Sequence, residues 1–135
     1  MGTPIYYGSI SSYAQAFLER LLFAADTYLI DDDGNRMSKI KNEVKTAMIY
    51  TMNVPKEMDY FNGEDQLAIM RGYLTNIFGE CESLYAYDTK QFRHYSAYVN
   101  NMFDAEHKEE SEKTQFPKDL QKAYELGQRI SESDD

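Results

Sequence analysis

The sequence has few of the residues that form disulfide bonds or bind metal ions. Its 135 residues include one cysteine, two histidines and no tryptophan. Cys81 cannot form an internal disulfide, and no C-x-x-C pair suggests a zinc site or a dithiol couple. These absences exclude a disulfide framework and predict a cytoplasmic protein.

Long apolar runs and an excess of basic residues are also absent. No stretch of eighteen apolar residues occurs, and the first residues lack a basic region followed by an apolar one, so neither a membrane span nor a signal peptide is expected. Lys and Arg number 14 against 23 Asp and Glu, a net charge of −9. This charge repels nucleic acid and anionic lipid, so neither is expected as a partner. The length allows one small domain at most.

Tyrosine and phenylalanine are plentiful, at 12 and 7 residues. Such side chains fill a core or an interface, and they can also flank a planar ligand.

Three segments have the 3.6-residue periodicity of amphipathic helices. The first covers residues 12–25, where Ser11 or Ser12 can cap the helix and Ser12 with Gln15 has capping-box spacing. The second covers residues 66–78, with Gly79 placed as its C-cap. The third opens at Phe116-Pro117. Its predicted inner stripe is Leu120, Ala123, Tyr124, Gly127 and Ile130.

Two apolar runs, residues 45–52 and 83–87, predict strands, and an opening strand covers residues 1–3 at most. Residues 31–35 predict a solvated turn. The alternative there, a calcium loop, would need Gly and Glu where Arg36 and Asn42 stand. Residues 94–116 predict an irregular surface excursion with a helical turn at 98–103. The alternation predicts an α/β fold with an unpaired strand edge.

One segment carries a family resemblance. Residues 3–11, TPIYYGSIS, followed by 16–20, AFLER, resemble the T/S-P-x-Y-x-G-x-x-S…AFhDR pattern (h apolar) of a branch of the flavodoxin superfamily. That branch contains NAD(P)H-dependent FMN reductases and iron–sulfur flavoproteins. Residues 48–53, 78–82, 87–89 and 116–119 are similar to it too. The resemblance implies the C-terminal half of a three-layer α/β/α fold with a parallel sheet.

By this resemblance, residues 1–135 form one partial flavodoxin-like domain whose first strands and phosphate loop are missing, with a frayed tail at 131–135. FMN would lie at the carboxyl ends of the strands, with NAD(P)H as the electron donor. Amides of residues 5–9 are candidate donors to the ring's pyrimidine edge. The implied cofactor-binding residues are Thr3, Pro4, Ile5, Tyr6, Tyr7, Gly8, Ser9, Thr51, Met52 and Asn53.

No catalytic side chain is assigned, because hydride transfer from nicotinamide to flavin needs no protein acid or base. His94 and His107 are expected to be exposed, and Cys81 to be a small buried residue. No iron–sulfur cluster is predicted, since no cysteine cluster is present.

The leading functional prediction is therefore an FMN-dependent NAD(P)H oxidoreductase, or its C-terminal portion, with an unknown electron acceptor. The alternative is a non-catalytic flavodoxin-fold fragment or assembly module that pairs through its open sheet edge. Its partner would be a second copy, giving a homo-oligomer, or a complementary N-terminal half. A third reading is a truncated product of a longer parent.

Overall fold

The computed structural model describes residues 1–58 and 63–132. Its elements in chain order are β1 (Gly2–Tyr6), β2 (Ser9–Ile10), α1 (Ser12–Ala25), β3 (Asp26–Ile30), β4 (Arg36–Ser38), β5 (Thr46–Thr51), α2 (Gly63–Phe78), β6 (Cys81–Ala86), α3 (Ala105–Thr114) and α4 (Phe116–Ser131). The main sheet has the strand order β2-β1-β5-β6. β1, β5 and β6 are parallel, whereas β2 is antiparallel to β1. The α/β class is confirmed, but the main sheet is mixed rather than all parallel, because the unpredicted β2 is antiparallel to β1.

β1 is longer than the predicted three residues because its proline is compatible with the strand. Ile49 N donates to Met1 O at 2.9 Å, so residues 1, 3 and 5 turn their backbone groups toward β5. The nitrogen of Pro4 then faces the other side, where no described strand runs beside Gly2 or Thr3. Proline is tolerated at such an edge because no ladder donor is needed there.

α1 has the predicted bounds, but its cap is Ser11 rather than Ser12. Ser11 Oγ accepts a hydrogen bond from Ala14 N at 3.4 Å. Gln15, the other half of the expected capping box, donates to Glu19 Oε1 instead. The predicted capping box is therefore not formed.

The core lies between the sheet and the pair α1 and α2. Alternate residues of a strand point to opposite faces, and Met48 and Tyr50 of β5 pack against Leu18 of α1 and Leu74 of α2. The opposite face carries α4, whose Arg129 Nη2 lies 2.8 Å from Glu82 Oε2 of β6. Helices therefore cover both faces, and β6 lies at one edge of the sheet.

A second, two-stranded sheet was not predicted. β3 and β4 form an antiparallel hairpin. The predicted turn at 31–35 is confirmed, and it joins these strands. Asp31 Oδ1 accepts hydrogen bonds from Asp33 N and Asn35 N at 3.0 and 2.8 Å. This carboxylate therefore stabilises the turn.

The prediction of an irregular segment at 94–116 is wrong for residues 105–114, which form α3, whereas residues 94–104 contain only a short 3-10 turn at Tyr95–Ala97. Asp104 caps this helix by accepting from Glu106 N at 2.9 Å. Its buried side chains are Lys108 and Ser111, both polar, so hydrophobic periodicity could not detect the helix.

α4 begins as predicted but turns a different face to the sheet. The residues it buries are Asp119 and Leu126. Leu120, Tyr124 and Gly127 of the predicted inner stripe are exposed, which corrects that prediction. Ser131 of the predicted tail belongs to α4, and residues 133–135 lie outside the described residues. In the described ranges, no helix combines the length and apolarity needed to cross a bilayer.

The hydroxyl of Tyr50 is expected to reduce the stability of the folded protein. Tyr50 is fully buried and stacks on Tyr85 with 5.2 Å between ring centroids, and its hydroxyl has no hydrogen-bond partner among the described residues. Burial raises the pKa of this phenol, so it remains neutral. Because an unsatisfied buried hydroxyl is costly, Tyr50→Phe should raise the free energy of unfolding by about 1 kcal/mol.

Urea denaturation measures the change, and Tyr95→Phe is the matched control. Tyr95 is also buried, but its hydroxyl donates to Asn53 Oδ1 and accepts from Gln91 N. Its loss should lower the free energy of unfolding by about 1 kcal/mol. Equal destabilisation by both variants would contradict the assignment.

Candidate functional site

A cavity of about 230 Å³ lies at the carboxyl ends of the parallel strands. Because β1, β5 and β6 run in the same direction, the segments that follow them meet at one end of the sheet. The lining residues are Pro4, Ile5, Tyr6, Thr51, Met52, Asn53, Thr89, Lys90 and Gln91. The structure thus brings together six of the ten predicted site residues, from two segments far apart in sequence.

Three lining residues were not predicted: Thr89, Lys90 and Gln91. They follow β6, the third parallel strand, and Thr89 N donates to Met52 O at 2.9 Å. The rule that ligands bind at the carboxyl ends of parallel strands points to them, whereas residues 51–53 were implied by the family resemblance.

Thr3 does not line this cavity. It is buried, and its hydroxyl lies 3.1 Å from Ser11 Oγ and accepts from Ser11 N at 3.3 Å. Thr3 therefore ties β1 to the start of α1, which fixes the direction of the chain after the hairpin.

Tyr7, Gly8 and Ser9 also lie outside the cavity lining. Tyr6 pairs with Ser9 across a two-residue turn, in which Tyr7 and Gly8 have φ of 51° and 78°. Positive φ at both central residues is the mark of a type I′ hairpin turn. The segment whose amides were candidate donors to the flavin thus forms two paired strands and a tight turn, and strand pairing occupies the backbone of Tyr6 and Ser9.

Tyr95 joins the two segments that form opposite walls of the cavity. Its hydroxyl donates to Asn53 Oδ1 and accepts from Gln91 N, both at 3.2 Å. Phe92 packs edge-on against the ring at 5.3 Å. This one buried hydroxyl fixes the distance between the segment after β5 and the segment after β6.

Lys108 of α3 forms hydrogen bonds to the same two segments. Its side chain is 1% exposed, and its ammonium donates to Asn53 O and to Asp88 Oδ1. The ring of Phe103 lies 5.0 Å from the ammonium, within cation–π range. A buried charge is tolerated only when paired and hydrogen-bonded, and here both conditions hold.

Asp88 is the acidic centre of this cluster. Burial alone would raise its pKa, but hydrogen bonds from Lys108 and His107 outweigh that effect and hold the pKa of Asp88 below its usual value. His107 Nε2 lies 2.6 Å from Asp88 Oδ2, so this half-exposed histidine is paired rather than isolated. Asp88 also has φ of 57°, a left-handed conformation that Asp and Asn tolerate.

The predicted exposure of the two histidines and the predicted burial of the cysteine are confirmed. His94 and His107 are exposed, and Cys81 is a buried free thiol.

The electrostatics of the cavity rest on one cation. Among the described residues that line the cavity, only Lys90 is charged, and its ammonium lies 2.9 Å from Glu112 Oε2, which raises the pKa of Lys90. The cavity is therefore close to neutral, with hydroxyl, amide and aromatic groups at its surface.

Asp88→Asn tests the buried ion pair while keeping a residue that tolerates the backbone. Because the folded pKa of Asp88 is depressed, its stabilisation is fully present above the unfolded value of about 4 and is lost as pH falls through the folded pKa. Asp88→Asn should destabilise the protein at neutral pH, and the difference from wild type should shrink below about pH 4. Urea unfolding at neutral and acidic pH measures both quantities. A difference that is constant with pH would contradict this account.

No protein-family model matches this chain, and neither curated proteins nor solved structures include a significant match to it. The resemblance to FMN reductases therefore stays a prediction, and the geometry of the cavity is the basis for a functional proposal.

Proposed function

We propose that this chain is the ring-binding part of an FMN-dependent NAD(P)H oxidoreductase with a flavodoxin-like fold. One observation carries the proposal: Pro4, Ile5 and Tyr6 line the same cavity as Thr51, Met52 and Asn53. These are the two segments that the family resemblance implies for flavin contact, and they lie at the carboxyl ends of adjacent parallel strands.

The architecture is compatible with this proposal. Three parallel strands with helices on both faces form an open α/β sheet, and such sheets bind ligands in crevices at the carboxyl ends of their strands. The β1–β5–β6 order would correspond to consecutive strands of a flavodoxin-like sheet.

The lining groups suit a flavin ring. Tyr6 offers an exposed aromatic face, and Pro4 fixes the course of the chain beside it. The hydroxyls of Thr51 and Thr89 supply donors and acceptors of the kind that the polar edge of the ring needs. Near-neutral charge favours a heterocycle over a small ion.

The cavity does not suit the whole cofactor. Its volume of about 230 Å³ is below the roughly 300–1,000 Å³ of pockets that enclose a ligand of drug size. Lys90 is already paired with Glu112, and the described lining residues include no glycine-rich loop at a helix N-terminus. The chain would therefore hold the ring and leave the phosphate to another surface, so we expect weak binding of FMN.

The flavin, once bound, would accept hydride from NAD(P)H and pass electrons to an acceptor. The chain's own contribution is to orient the ring. Tyr95 and Lys108 hold the two cavity walls at a fixed separation, and Tyr6 shields one side of the ring from water.

Titration of FMN with the purified chain, followed by flavin fluorescence, tests the proposal. We expect saturable quenching with a dissociation constant near millimolar, about 4 kcal/mol of binding free energy. Tyr6→Ala should weaken binding by up to about tenfold, the contribution of one aromatic contact.

Tyr28→Ala is the matched control. Tyr28 is exposed on β3, outside the cavity lining, so its loss should leave the affinity for FMN unchanged. Absence of quenching up to millimolar FMN, or an equal effect of the two substitutions, would overturn the proposal. Oxidation of NADH and NADPH should be assayed only after binding is established.

A further inference from the structure

A second cavity, of about 400 Å³, lies at the other end of the sheet. It is bordered by α1, α4 and the first residues of β5, so it is separate from the candidate flavin cavity. Lys45 is the only charged side chain among its described lining residues, and the others are almost all apolar. Cavities of this composition are covered by apolar partners far more often than they are left in water.

α4 has an apolar arc wider than the face covered by the sheet. Leu126 is buried, whereas Leu120 and Tyr124 are 55% and 64% exposed. At 100° per residue these two continue the arc past Ala123 and Gly127, which line the cavity. Leu120 and Tyr124 are therefore apolar positions of α4 that the sheet leaves uncovered, next to the cavity-lining Ala123 and Gly127.

α1, on the other face of the sheet, also has exposed apolar residues beside a buried one. Leu18 is buried, but Tyr13 and Phe17 are 90% and 54% exposed. Phe17 and Leu21 line the cavity, and Tyr13 lies one turn before Phe17 on the same side of the helix. The uncovered parts of both helices therefore meet at one place.

That place adjoins the start of β1, since Met1 and the first residues of β5 line the cavity. β2 pairs only with Ile5 and Tyr6, so Gly2–Pro4 have no described strand on their outer side. We call the combined area of this edge, the cavity, Tyr13, Phe17, Leu120 and Tyr124 the open-edge surface. Phe17 of α1 and Gly127 of α4 both line the cavity, so its sides come from both helix layers.

The accessible surface area of the chain is larger than that of a typical monomer of its mass. Its accessible area is 9795 Å² for a mass of 15.7 kDa, whereas a monomeric protein of this mass exposes about 7,300 Å². The excess of about 2,500 Å² matches one chain's share of a large obligate interface, which buries roughly 2,000–5,000 Å² in total. The chain thus has enough surplus surface for a stable dimer.

We propose that a second copy of this chain covers the open-edge surface, with two-fold symmetry. The cavity favours this occupant, because Lys45 is the one charged side chain among its described lining residues and most of the net charge of −9 on each copy would lie outside the contact. A symmetric dimer also pairs the same patch with itself, which suits an apolar, aromatic-rich surface. The proposal does not depend on flavin binding.

Size-exclusion chromatography with light scattering tests the proposal from micromolar to sub-millimolar concentration. The wild-type chain should have twice the monomer mass of 15.7 kDa. Leu120→Glu places two buried carboxylates in the symmetric contact, so it should raise the dissociation constant of the dimer at least about a hundredfold. Phe17→Glu, on the other helix, should do the same.

Leu29→Glu is the matched control, because Leu29 is similarly exposed but lies on β3, outside the open-edge surface. It should remain dimeric. Circular dichroism should show unchanged helix content in all three variants, since each replaced side chain is exposed in one chain. A monomeric wild type over the whole range would overturn the proposal, as would equal weakening of the dimer by Leu29→Glu and Leu120→Glu.

Discussion

Parallel pairing holds β1, β5 and β6 in one register, so that Thr3, Tyr50 and Tyr85 lie side by side on the same face of the sheet. This register decides which side chains reach the core beneath α1 and α2, because alternate residues point to opposite faces. It also brings the segments after the three strands to one end, where Tyr6 and Asn53 face a common cavity. A slip of one residue in β5 would exchange its two faces and separate the walls of that cavity. The core and the candidate site therefore depend on the same hydrogen-bonded register.

Buried polar groups, together with aromatic packing, hold the loops at that end. Lys108 reaches from α3 to Asn53 O and Asp88, and Tyr95 joins Asn53 to Gln91. Removing one partner would leave a buried charge or hydroxyl unsatisfied, which costs more than the pair contributes. Such an arrangement favours one geometry over near alternatives, since a small displacement would break several hydrogen bonds at once. A binding wall built in this way is preorganised before any ligand arrives.

Elements with an apolar stripe could be predicted from the sequence, and elements held by polar contacts could not. The periodicity of residues 12–25 gave α1 its observed bounds, and the apolar run of β5 was evident. α3 was missed because it buries Lys108 and Ser111, which no hydrophobic pattern detects. β1 was underestimated because Pro4 and Gly8 suggest a loop, and only its pairing with β5 shows that the proline faces an edge. For the site, the resemblance indicated the ends of β1 and β5, whereas Lys90 and its neighbours depended on knowing that β6 is parallel to both.

α4 shows why a pattern can be correct while its interpretation is wrong. The sequence predicts a broad apolar arc, and the helix has one, but the sheet covers only the half that contains Leu126. Periodicity measures the width of an arc and carries no information about how far a sheet extends beneath it. Leu120 and Tyr124 are more than half exposed, so the sheet does not cover this part of the arc. The mismatch between the arc and the sheet therefore locates a surface that the sequence alone assigned to the core. Because α1 repeats the mismatch through Phe17, the two helices define one surface rather than two unrelated exposures.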